Sequence, residues 1–188
     1  GVNPGTLGSG TITGVAGTGF VNQGYGGWQS PDIVANLRVD QAWGGAQIMG
    51  AAHQVNAAYY NNTVAFTELS GNPGDKWGWV AGAGLRLNTP YFGQGDYFIG
   101  QFNYTQGAVR YVFQNPAGNW WMQDGNSAAM GLMADGVYGG SLATGTTTGI
   151  NLTTAWGVNA GYEHFWTPQW RTSIHGGYAQ VNYNGQAN

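Results

Sequence analysis

Three histidines, His53, His164 and His175, are the side chains of this 188-residue chain best suited to proton transfer or metal ligation. None has the neighbours that such work requires. No HExxH spacing occurs, and the one adjacent carboxylate, Glu163 beside His164, falls on the opposite face of a strand of period two. A metal site built from His175 and a carboxylate has no supporting spacing. Serines are present, but no G-x-S-x-G elbow surrounds them. The run GSGTITG from Gly8 lacks the spacing of a phosphate-binding loop and any βαβ context, so its glycines read as loop chemistry. The absence of cysteine excludes thiolate metal sites, cysteine nucleophiles and disulfides together. The sequons at Asn61, Asn103 and Asn151 would matter only in a eukaryotic secretory protein. No enzyme activity, metal or cofactor is expected.

The chemistry that remains is that of a few charges. Asp, Glu, Lys and Arg make up 7% of the chain, against roughly 25% in ordinary soluble domains. Nearly a fifth of the residues are glycine and 14% are aromatic, too aromatic for a disordered linker. A net charge of -3 excludes a strongly basic nucleic-acid binder. No run of apolar residues is long enough for a membrane helix, and the mean hydropathy is -0.26. No signal sequence or initiating Met is seen, so a mature chain or an excised part of one is expected.

The elements that position these charges repeat every second residue. In Lys76 to Asn88, Trp77, Trp79, Ala81, Ala83, Leu85 and Leu87 face one way, and Lys76, Gly78, Val80, Gly82, Gly84, Arg86 and Asn88 the other. Thr148 to His164 sets Ile150, Leu152, Thr154, Trp156, Val158, Ala160 and Tyr162 against Asn159, Gly161 and Glu163. Asp32 to Gln41, Tyr97 to Thr105 and Trp170 to Tyr178 alternate in the same way. Ala46 to Tyr60 is strand-like with ambiguous parity, because Gln47 and His53 share a face with Met49 and Val55. These are six expected strands; Ala108 to Phe113 and Met130 to Tyr138 could add a pair.

The charges Arg38, Asp40, Arg86, Glu163 and Arg171, with His175, fall opposite the apolar face. A Lys or Arg facing lipid at the midplane would cost about 2 to 4 kcal/mol, so on a barrel this face lines the lumen. There the charges either bias passing ions or pair along the face, as Arg38 with Asp40. Gly78, Gly82, Gly84, Gly157 and Gly161 share that face. They leave room in the lumen, let another segment pack close, or bend the strands.

Short turns alternate with long loops: 61–75 and 106–147 read as extracellular loops, and Gln41 to Gly45, NTPYFGQGD and FWTPQ as short turns. The aromatics flank these ends. Trp43, Tyr91, Phe92, Trp166 and Trp170 lie near the short turns, and Tyr59, Tyr60, Trp77, Tyr104 and Trp121 toward the loops. Trp77 and Tyr91 are fourteen residues apart, about 46 Å of strand, or about 33 Å of height at a tilt near 45°. That height approaches the bilayer core of about 30 Å. Together with Trp79, Trp156 and Tyr162 on the apolar face, these residues form an expected lipid-facing girdle. The fold class expected is an all-β, antiparallel transmembrane β-barrel.

Three stretches carry a resemblance: PDIVANLRVDQAWGGAQIMGAAHQVNAAYY from Pro31, DKWGWVAGAGLRLNTPYFGQGDYFIGQFNYTQGA from Asp75, and AWGVNAGYEHFWTPQWRTSIHGGYAQVNYN from Ala155. Together, half of the chain resembles the porins of alphaproteobacteria. The resemblance implies a sixteen-stranded, water-filled barrel in the outer membrane, assembled as a homotrimer in contact with lipid, with one loop folded inward. Residues 1–188 are then part of one barrel domain, and the inward loop is expected outside them. The function implied is passive diffusion of small hydrophilic solutes and ions. Two other readings are a small closed barrel serving as a surface adhesin, and a soluble carbohydrate-binding module with Trp120 and Trp121 stacked on sugars. The module would bury the Trp77, Trp79 and Leu85 face under a second sheet.

Overall fold

A computed structural model describes residues 29–60, 71–113, 120–124, 127–131, 133–139 and 145–183. Six strands form one antiparallel sheet: β1 (Ile33–Gln41), β2 (Gly44–Val55), β3 (Lys76–Asn88), β4 (Tyr97–Gln106), β9 (Thr154–Phe165) and β10 (Arg171–Asn182), in the order β1-β2-β3-β4-β9-β10. These strands match the six expected from the two-residue period. Between β4 and β9, β5 (Trp120–Asp124) pairs with β6 (Ser127–Gly131), and β7 (Gly136–Val137) with β8 (Asn151–Leu152). The sheet is open, with β1 and β10 at its edges. No second sheet covers the Trp77, Trp79 and Leu85 side among the described residues, and these side chains are exposed.

Three expectations are corrected. Ala108 to Phe113 is not a strand; Val109–Tyr111 forms a 3-10 turn. Met130 to Tyr138 is not continuous either, since β6 ends at Gly131 and β7 has two residues. Thr148 to His164 is not one strand but changes partner at Thr153, whose N–H extends the β7–β8 pairing to the Asp135 carbonyl while its own carbonyl accepts the Gly107 N–H beyond the β4–β9 ladder. As a result Ile150 leaves the apolar face and joins a buried cluster with Val55, Ala57, Tyr60 and Tyr138. Tyr60, expected at an interface, is also buried there, with its hydroxyl donating to the Thr148 carbonyl.

The register settles the parity of β2. Arg38 pairs with Gln47, Gln47 with Gly84, Gly84 with Gln101, and Gln101 with Asn159. Gln47, Met49, His53 and Val55 therefore share the face of the charges, while Ile48 stands exposed on the other. Every Lys, Arg, Asp and Glu of the six strands lies on this polar face: Arg38, Asp40, Lys76, Arg86, Glu163 and Arg171.

The polar face is not uniform along its length. Toward the loop end a cross-strand row reads Val34, Ala51, Val80, Thr105, Ala155, Val181. It is small and mostly apolar, and the chain after β4 turns back onto it. Gly107 makes that reversal at φ 82°, a conformation that favours glycine. Val109, Phe113, Met133 and Ala155 then close a buried cluster on which Val112 and Val181 pack. Chain that folds onto the polar face is thus present within these residues.

Candidate functional site

Residues 107–113 cover the loop-end half of the polar face. Asn103, on the polar face of β4, donates through Nδ2 to the Tyr111 carbonyl at 2.8 Å. A Cβ on Gly157 would come 2.9 Å from Val112, and one on Gly78 would come 2.6 Å from the Gln106 carbonyl. Two of the strand glycines therefore permit close approach of this segment. Gly84 has only the Gly100 carbonyl at 3.9 Å and leaves open space.

That space belongs to an open trough of about 460 Å³ on the turn-end half of the polar face. Its polar lining is Arg38, Gln47, Arg86, Gln101, Asn159 and His175. Arg38 grips Asp40 with both arms of its guanidinium, Nε to Oδ2 at 2.8 Å and Nη2 to Oδ1 at 2.9 Å. Arg86 has no carboxylate within 4.0 Å among the described residues and lies 4.4 Å over the Tyr97 ring. The Tyr97 hydroxyl donates to Glu163 Oε2 at 2.7 Å. Arg171 Nη1 approaches Glu163 Oε1 at 3.0 Å, an ion-pair contact without the alignment of a full hydrogen bond. The six predicted polar residues thus share one face, but only Arg38, Arg86 and His175 line the trough. Glu163 and Arg171 form a pair beside it.

The predicted girdle residues divide. Trp77 and Trp79 are half-exposed on the apolar face; Trp43, Tyr91, Phe92, Trp166 and Trp170 are exposed at the short turns. Trp156 is partly covered, between Phe102 and Tyr178. Tyr162 is turned to a buried carboxylate, donating to Asp96 Oδ2 at 2.6 Å. The sugar-platform reading of Trp120 and Trp121 falls outside the described side chains. The GSGTITG run, residues 61–70 of the first loop and 114–119 and 140–144 of the second fall outside the described residues.

Two clusters escaped the sequence reading. At the turn end, Asp96 has a fully buried side chain that also accepts the Phe165 N–H at 2.8 Å and lies 2.6 Å from His164 Nδ1. Burial works to raise its pKa, but these hydrogen bonds outweigh it and hold the carboxyl below its ordinary 3.8. At the loop end, His53, Asp32, Tyr111 and Asp135 meet from four separate segments. Single acids beside strand ends carry no periodic signal, so neither cluster could be read from spacing.

The whole-chain comparison decides the family. Residues 7–188 match the model of the porin subfamily. The chain belongs to the porin subfamily. A porin is a channel protein of the outer membrane, and the all-β antiparallel sheet with one charged and one aromatic face agrees with that class. Compared with the curated proteins and with the solved structures, this porin matches none.

Proposed function

We propose that this chain forms part of the wall of a water-filled channel through which small hydrophilic solutes and ions diffuse passively across the outer membrane. The observation that carries the reading is the segregation of all six strand Lys, Arg, Asp and Glu residues onto one face while large apolar side chains stay exposed on the other. In water that exposed apolar face would be a liability; in lipid it is the favourable surface. The opposite face then borders water, and its amides and guanidiniums bias ions by local potential without transforming them. Arg38, Asp40, Arg86, Glu163, Arg171 and His175 are its pore-facing set. Their contributions differ: Arg38 and Arg171 are neutralised by neighbouring acids, and Arg86 is not.

The open edges of β1 and β10 support a larger barrel, because unpaired backbone groups are costly in a bilayer. We further propose a homotrimer in contact with outer-membrane lipid, as the family resemblance implies. The deciding experiment is reconstitution, in a planar bilayer, of the detergent-purified full-length porin that contains this chain. Stepwise, ohmic conductance is the expected result. Absence of channels, together with monodisperse behaviour in detergent-free buffer, overturns the reading.

A further inference from the structure

We propose that His53 is the pin that holds the inward segment 107–113 against the wall and thereby sets the width of the path; this rests on the channel reading above. The imidazole is 6% exposed on the polar face of β2. Its Nδ1 lies 2.6 Å from Asp32 Oδ1, and its Nε2 3.5 Å from Asp135 Oδ2. Each of those carboxylates grips the inward segment with its other oxygen. Asp32 Oδ2 accepts the Tyr111 hydroxyl at 2.8 Å, and Asp135 Oδ1 accepts the Val109 N–H at 2.7 Å. Of the ring's two contacts, the first is a hydrogen bond and the second an ion-pair contact too long for one; the ring thus links two acids from distant parts of the chain, and each acid fastens one end of the same 3-10 turn.

A doubly protonated imidazole donates from both nitrogens, whereas a neutral ring donates from one and presents a lone pair at the other. The neutral ring can satisfy only one of the two carboxylates. Loss of the proton therefore sets a lone pair against a carboxylate and loosens one of the two grips. Gly78 of β3 pairs opposite His53, and Lys76, farther along the same face, is committed to the Ile150 carbonyl at 3.1 Å. Tyr183, after β10, is a phenol beside Asp135, pushed up chiefly by burial. Tyr111 is pushed up to about 12, first by burial and then by its hydrogen bond to Asp32, so it remains a donor throughout. The pin is therefore set by the protonation of His53.

The test is single-channel conductance of the intact protein in KCl between about pH 5 and about pH 9, where imidazoles titrate. Wild type is expected to show higher conductance, or more frequent steps to a larger level, on the alkaline side. His53→Gln, which keeps one donor and does not titrate, loses that component. Tyr111→Phe removes one grip without touching the wall, and raises the acid-side conductance toward the alkaline wild-type level. Channels whose pH profiles coincide for wild type and His53→Gln overturn the pin. If His53→Gln fails to fold, an unchanged acid-side conductance in Tyr111→Phe overturns it, and a raised one supports it. No channels from wild type at any pH overturns the channel reading itself.

Discussion

Arg86 lies over the ring of Tyr97, 4.4 Å from its centroid, on the polar face where their strands run antiparallel. The contact holds a guanidinium at the trough wall without neutralising it, since the ring quadrupole attracts a cation but carries no net charge. The phenol is fixed in turn by its 2.7 Å hydrogen bond to Glu163, and Glu163 faces Arg171. Four polar-face residues from four strands therefore share one arrangement, with Arg86 as its uncompensated cation.

Reversing that charge is expected to move ion preference. Arg86→Glu and Arg171→Glu shift the reversal potential in a salt gradient toward cations, Arg86→Glu by more because Arg171 is already offset by Glu163. Unchanged reversal potentials in both variants would show that these side chains are only scaffolding.

The parity of β3 can be tested with one substitution on each face. Ala83→Arg projects to the apolar side and is expected to cost about 2 to 4 kcal/mol on folding into lipid. Gly84→Arg enters the open trough, where the nearest atom to a new Cβ is 3.9 Å away. It should fold almost normally and lower the conductance. Denaturant titration in bilayers of defined lipid compares the two; equal costs would refute the assignment of the faces.

Gly157→Val would drive its side chain into Val112, which a Cβ alone would approach to 2.9 Å. Overpacking of this kind costs about 1 to 3 kcal/mol. The less costly response is displacement of the inward segment, read as increased conductance with the barrel intact. Wild-type conductance in a stably folded Gly157→Val channel would place Val112 away from the wall.

Acid should weaken the turn end. The Asp96 carboxyl titrates below its ordinary 3.8 in the folded chain, so the unfolded chain binds more protons between the two values. Its contribution to stability is complete above about 3.8 and is lost as pH falls through the depressed folded value. Heat-induced mobility shifts on gels, measured from neutral to acid pH, should show a fall in melting midpoint that Asp96→Asn reduces. An Asp96→Asn protein with the same acid dependence as wild type would assign that loss to other groups, Asp32 among them.

The periodic sequence by itself determined the strands and their faces. Trp77 to Leu87 and Arg38 to Asp40 alternate without interruption, and in a strand successive side chains must point to opposite sides. That local rule placed all six strand charges on one face and identified the turns at Trp43, Tyr91 and Trp166. It could not reach what depends on residues far apart in the chain. Ile150 obeys the alternation of its neighbours, yet it is buried with Val55 and Tyr138 because the chain changes strand partner at Thr153. Val109 to Tyr111 has strand-forming residues but turns inward, packing with Ala155 and Val181, which come from two different strands. Asp32, His53, Tyr111 and Asp135 are scattered over a hundred positions and become one cluster only when the connection after β4 folds back. Alternation is a property of consecutive residues, whereas burial and proton sharing belong to groups that only the tertiary fold brings into contact.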